Sequence, residues 1–433
     1  MSTFTIGLIG CILLIVLLLL SMPVGFSLAI VGTLGFAWII NFPAACHMMI
    51  SLFLDTFSKY DYSVIPLFIF MGQVCFHSGI SKRLFDAAYR WVGRLPGGLA
   101  VATVFACAAF GAICGSGPAT AATMAAVSLP EMKKRNYSMQ LGAGTVAAAG
   151  SLGMMIPPSV VFIVYGFMTE QSPAKLFIAG ILPGLLFTLL FSLYIAWACW
   201  RNPKLGPPAP ATTREEAFRA LLGVIDPLLL FLAVMGGLFI GWFTPTEAAS
   251  VGALGSLIIA GARRCLTWKM LKRSILETIR TSCMILMIIA GALVFSRFLA
   301  VTRLPVELAS FLSGLPLPGW MIIASILLTF VILGTVVDNL ALVLMTIPVF
   351  LPVLNALHVD LIWFGVMIVA VVQIGVISPP VGVNAYVVSG MMRDVSLQTV
   401  FKGCIPFIGM LAIGTILLML FPQLATWLPT LMF

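Results

Sequence analysis

Apolar residues fill most of this chain in runs of about 17–25, separated by short polar, glycine- or proline-bearing breaks. A helix of that length rises about 1.5 Å per residue and covers a hydrocarbon core of roughly 30 Å. The runs predict helices over 4–21, 24–41, 63–80, 98–114, 119–132, 139–155, 159–168 and 175–200. A second series covers 225–243, 247–263, 281–300, 319–333, 340–356, 361–377, 381–391 and 400–428. The alternating segments of a transmembrane β-barrel do not occur. The expected fold class is therefore an all-α polytopic membrane protein. Two stretches, 81–94 and 268–280, are basic and amphipathic. Arg201–Arg219, with Pro203, Pro207, Pro208 and Pro210, is long and polar and reads as a linker.

Composition narrows the function. Of 433 residues, 61% are apolar and 9% are charged, against about 25% charged in soluble domains. A soluble enzyme, a disordered chain, a coiled coil and a collagen are excluded. The net charge of +9 reflects basic loops on one membrane face and gives no reason to expect nucleic acid. Nine cysteines show neither CxxC nor metal-ligand spacing and read as small core residues. The first 20 residues lack a basic start and a cleavage site, so a retained helix is expected. His47, His77 and His358 stand near segment ends and read as interfacial. No GxxxxGK[ST], Ser/His/Asp or HExxH grouping occurs. No catalytic residue, organic cofactor or transition metal is expected.

The two halves resemble each other. Pro157-Pro158 and Pro379-Pro380 are 222 residues apart, as are Leu129-Pro130 and Leu351-Pro352, and Pro23 and Pro245. Three proline-bearing matches at one offset predict a duplication: a repeat over 1–200, a linker over 201–222, and a repeat over 223–433. Basic loops swap position between the halves. Lys82, Arg83, Arg90 and Arg94 face only Arg297 and Arg303 near 297–314, a second arm helix expected over 303–314. Lys59 stands alone in 42–60, against Arg263, Arg264, Lys269, Lys272, Arg273 and Arg280 in 263–280. By the positive-inside rule the halves insert upside-down relative to one another, an arrangement typical of transporters. Lys133–Arg135, the linker, Arg393 and Lys402 then fall cytoplasmic, with both termini on the other face.

Four interrupted segments carry the candidate chemistry. Phe110–Thr123 lies between the clusters Arg90/Arg94 and Lys133–Arg135, with arms of about 17 and 14 residues. These are short for two full spans, and Gly115-Ser116-Gly117-Pro118 breaks the helix between them. A re-entrant hairpin is expected; two ordinary helices joined by a tight turn are the alternative. Its mate is Gly334–Asn339, where Ser116 corresponds to Asp338 and Gly117 to Asn339. Asp338 alone among the 14 acidic residues lies deep in a predicted span, a costly placement that points to ion binding, proton transfer or capping of the hairpin tip. The remaining two segments are Gly142–Ser159, broken at Pro157-Pro158, and Gly375–Asn384, broken at Pro379-Pro380. Proline removes amide donors and frees carbonyls, which can hold Na⁺, while the following helix start can hold an anion. No Lys or Arg lies at these breaks, so an anionic solute would depend on helix ends, side chains such as Asn384, and co-bound cations.

These motifs resemble a known family. GSGPATAAT at 115–123, the run from Gly144 through Leu152-Gly153 and Ile156-Pro157-Pro158-Ser159, TPTEAA at 244–249 and SPPVGVN at 378–384 are similar to the large membrane subunit of tripartite ATP-independent periplasmic (TRAP) transporters, the DctM-like proteins. The match covers essentially the whole chain. The resemblance implies an inverted-repeat, elevator-type transporter with two re-entrant hairpins and two discontinuous helices. It implies Na⁺-coupled import of a carboxylate-bearing solute, such as a C4-dicarboxylate or sialic acid, across the bacterial inner membrane. Implied partners are a separate small membrane subunit of about four helices and a periplasmic solute-binding protein. By motif position, Na⁺ candidates are Gly115, Ser116, Gly117, Ser151 and Ile156, and, in the second half, Gly334, Asp338, Gly375 and Ser378. Solute candidates are Pro118, Thr120, Pro157, Pro158, Ser159, Asn339, Pro379, Pro380 and Asn384. A stand-alone Na⁺/dicarboxylate symporter or anion exchanger is the alternative within transport. A channel or an intramembrane enzyme is a different class, and a single carboxylate does not supply paired acid–base chemistry.

Overall fold

A computed structural model describes residues 2–208, 214–314, 316–392 and 394–432. Arg393 and Pro210, both expected on the basic face, lie outside these residues. Among the described residues all regular structure is helical. Four helices are long and apolar enough to cross a membrane, or up to six when each of two bent helix pairs is taken as one span. Shorter apolar helices accompany them.

The predicted helices are present, with four departures that have local causes. Residues 42–60, expected as a connection, contain the helix Phe42–Ser58, capped by Asn41 and carrying proline in its first turn. The 268–280 and 281–300 segments form one helix, Trp268–Thr302, because no glycine or proline lies between Trp268 and Ala290. The last segment divides into Leu397–Leu420 and Gln423–Met432, with Pro422 between them, which cannot continue the first helix's hydrogen bonding. The linker contains the helix Arg214–Leu222.

Helix Trp268–Thr302 is the spine of the N-terminal packing. Gly25 and Gly32 press directly on it: a Cβ at Gly32 would lie 2.8 Å from the Phe295 nitrogen. Small residues at such contacts let backbones approach closely and gain dispersion where lipid supplies no hydrophobic drive.

Contacts define two ends of the molecule. At one end, Leu99 N donates to Tyr137 Oη at 3.1 Å, Tyr137 Oη donates to Pro207 O at 2.9 Å, and Gly97 N donates to Gly206 O at 3.1 Å. The Arg135 guanidinium covers the Tyr89 ring at 4.8 Å. The Lys133 ammonium meets Asp394 at 2.6 Å and holds its carboxyl below the usual range. Asp226 pairs with Arg263 at 2.6 Å and Arg83 at 3.5 Å. This is the basic end. At the far end, Tyr165 Oη donates to Leu361 O at 2.6 Å and Trp363 Nε1 to Leu418 O at 3.0 Å. The segment Met139–Thr169 therefore runs from the basic end to the far end, and Leu361–Met391 runs back.

Candidate functional site

Helices Gly98–Cys114 and Gly117–Lys134 are joined by two residues. Gly115 takes a left-handed φ of +65° and its N–H donates to Gly111 O at 2.9 Å, closing the first helix. Ser116 is extended and Pro118 stands in the first turn of the second helix. Both legs start at the basic end, where Leu99 and Tyr137 meet. The second hairpin, Gly319–Gly334 and Asn339–Ala356, has its base at the far end, where Gly319 faces Leu357 just before Leu361. Asp338 occupies its N-cap position, with its carboxylate against the backbone amides of Asn339 and Leu340.

The two tips meet. Gly115–Ala119 and Asp338–Leu340 line one cavity of about 310 Å³, together with Met154, Val160 and Val161 from the first broken helix. Asp338 is exposed to it and is its one charged lining residue. Two helix N-termini, at Gly117 and Asn339, open on this space and bring partial positive charge to it. Helices Val64–His77 and Trp268–Thr302 close the opposite wall.

The broken helices are locked to the tips by backbone contact. A Cβ at Gly111 would lie 2.6 Å from Gly153 Cα; a Cβ at Gly375 would lie 2.6 Å from the Gly334 carbonyl carbon. Gly153 and Gly375 stand 222 residues apart. Val381 N also donates to Thr335 O at 3.1 Å. The proline breaks are satisfied locally. Pro158 cannot donate to the Met154 carbonyl, and Ser159 Oγ does so instead at 2.6 Å. Ser378 Oγ donates to Ile374 O at 2.6 Å. Both Pro-Pro peptide bonds are cis.

Of the residues singled out by sequence, Gly115, Ser116, Gly117, Pro118, Asp338 and Asn339 come together around the cavity. Gly334, Gly375 and Ser378 lie at the second tip's crossing. Thr120 is buried, donates to Ser116 O at 2.8 Å and faces Gly153. Pro157, Pro158 and Ser159 are buried, and Ile156 packs against Gly184. Pro379 and Pro380 are exposed outside the cavity lining. Asn384 Nδ2 donates to Ala147 O at 3.0 Å, joining the broken helices away from the tips. Ser151 Oγ donates to Ala148 O at 2.7 Å and to Gln373 Oε1 at 3.1 Å. Ser151 and Gln373 are themselves 222 residues apart, so equivalent positions of the two halves touch each other.

Sequence reasoning missed three contributions. Met154 Sδ accepts from Asn339 Nδ2 at 2.9 Å, tying the first broken helix to the second tip. Gln373 was legible as the repeat partner of Ser151. His77, expected to stand alone, meets Glu277 at 3.1 Å.

Comparison with known proteins agrees with this architecture. The family model described as the DctM component of the tripartite ATP-independent periplasmic transporter matches residues 11–424. The C4-dicarboxylate TRAP transporter large permease protein DctM of Pseudomonas aeruginosa is 35% identical over 383 residues, 88% of this chain and 89% of that protein. The sialic acid TRAP transporter large permease protein SiaM of Vibrio cholerae is 31% identical over 416 residues, 96% of each. The crystal structure of the Alcanivorax borkumensis YdaH transporter has a similar fold, with a TM-score of 0.63 at 16% identity over 89% of this chain and 90% of that one.

Proposed function

Since the chain belongs to the DctM family of TRAP transporter large permeases, we propose that it imports a carboxylate-bearing solute, driven by the Na⁺ gradient and delivered by a periplasmic binding protein. A C4-dicarboxylate or a sialic acid is the solute class that its relatives' names support. It works in the inner membrane beside a separate small subunit, with the basic end cytoplasmic and both termini periplasmic. The two halves are inverted repeats. Their hairpins and broken helices move together, elevator-fashion, against the remaining helices.

One observation carries this reading: the cavity lies where both hairpin tips meet helices Val64–His77 and Trp268–Thr302, at the boundary along which such a movement would occur. Its charge also bears on coupling. A solute carboxylate about 5 Å from ionised Asp338 would be repelled by about 3 kcal/mol at an effective dielectric of ~20. Helix N-termini offset part of this, each by about 0.3–1 kcal/mol when exposed and up to ~2 in a partly buried site. A co-bound cation offsets the rest, which makes solute and Na⁺ binding mutually dependent.

Reconstitution in proteoliposomes tests the proposal. Inward Na⁺ gradients should drive uptake of succinate, malate or N-acetylneuraminate only when the cognate binding protein and small subunit are present. Na⁺-driven uptake without either partner would favour a stand-alone symporter, and no Na⁺-driven uptake would refute the proposal.

A further inference from the structure

We infer that Gln73 and Thr281 are specificity-determining residues, forming the solute-binding wall opposite the hairpin tips and donating hydrogen bonds to an oxygen of the solute remote from the group held at the tips. The inference rests on the transport reading above and adds the recognition chemistry of the facing wall.

The wall has a register. Helices Val64–His77 and Trp268–Thr302 run antiparallel, and His77 Nε2 lies 3.1 Å from Glu277 Oε2. Residues four apart share a helix face. One turn along from this pair stand Gln73 and Thr281, and the next turn brings Ile69 and Ile285. All four of these line the cavity. The wall is thus a ladder with an ionic rung, a polar rung and an apolar rung, and the ionic rung fixes the other two in step.

The side chains of the polar rung have no partner within the protein. Among the described residues, neither the Gln73 nor the Thr281 side chain makes a hydrogen bond. Elsewhere the same helix satisfies its threonines: Thr278 Oγ1 donates to Ser274 O at 2.7 Å and Thr302 Oγ1 to Leu299 O at 2.6 Å. Both side chains are half-buried and reach the cavity, so they can bond a solute there without first breaking a hydrogen bond within the protein. An amide NH₂ and a hydroxyl are both donors, so the rung suits an accepting oxygen. The apolar rung beside it suits methylene groups. The solute is then a carboxylate bearing a second oxygen function, either a hydroxyl or another carboxylate.

The test uses the full chain reconstituted with its small subunit and binding protein, and radiolabelled succinate, malate and N-acetylneuraminate as probes. For at least one probe the wild type carries, Gln73→Leu and the isosteric Thr281→Val should raise KM at least tenfold. At saturating solute the Na⁺ concentration for half-maximal rate should not change, and Thr281→Ser should return KM to within twofold. A selective loss for malate would assign the oxygen to a hydroxyl, and an equal loss for succinate would assign it to the second carboxylate; both support the inference. Unchanged KM in the two variants, or Thr281→Ser as impaired as Thr281→Val, would overturn it while leaving the transport reading intact. A wild type that carries none of the probes would overturn both.

Discussion

Asp338→Asn is expected to raise the Na⁺ concentration for half-maximal uptake about a hundredfold while leaving membrane yield and thermal stability unchanged. The substitution keeps the shape of the second hairpin tip and removes the cavity's single charge. Asparagine keeps a side-chain oxygen that can accept from the Asn339 and Leu340 amides beside the carboxylate, so little folding energy is lost. A carboxylate about 5 Å from a cation contributes roughly 3 kcal/mol at an effective dielectric of ~20, which corresponds to about a hundredfold in Na⁺ affinity. Uptake measured across a range of Na⁺ concentrations should show that shift directly. Unchanged transport with unchanged Na⁺ dependence would remove Asp338 from the mechanism.

The second large effect concerns the crossing that holds the second tip against its broken helix. Gly375→Val should reduce uptake at least tenfold and lower the apparent melting temperature in detergent. Even a Cβ at this position would lie 2.6 Å from backbone atoms of Gly334, and backbone has no rotamer by which to retreat. Overpacking of this kind costs typically 1–3 kcal/mol, and here it displaces the loop that presents Asp338. Gly390→Ala is the matched control, since nothing lies within 4 Å of a Cβ there; it should behave as wild type. Normal uptake by Gly375→Val would show that the tip does not depend on this contact.

Much of this architecture was legible because glycine and proline punctuate it. Gly115–Pro118 and the two Pro-Pro pairs interrupt otherwise continuous apolar runs, and backbone rules state what such residues do to a helix. Other features depended on residues distant in sequence. His77 and Glu277 are separated by 200 positions, and each alone looks like an ordinary polar residue at a span's edge. Gln73 stands in an apolar run and Thr281 between Arg280 and Ser282, with no motif around either, and only the packing of their helices brings them face to face. Asn384 carried a strong expectation from its motif, yet its amide bonds Ala147 O between the broken helices, a destination that no local pattern specifies. Helix Phe42–Ser58 was hidden by its polar residues, although Asn41 and Pro43 supply a recognisable N-terminal signature. The break at Pro422 was passed over because Gln423 is the one polar residue beside it in an otherwise apolar stretch.

The upside-down relation of the two hairpins can be measured in membranes. In a cysteine-free background, Lys134→Cys marks the base of the first hairpin and Leu317→Cys the base of the second. A membrane-impermeant thiol reagent should label Lys134→Cys only in inside-out vesicles and Leu317→Cys only in right-side-out vesicles. Labelling of both from the same face would contradict a cavity formed by hairpins entering from opposite sides.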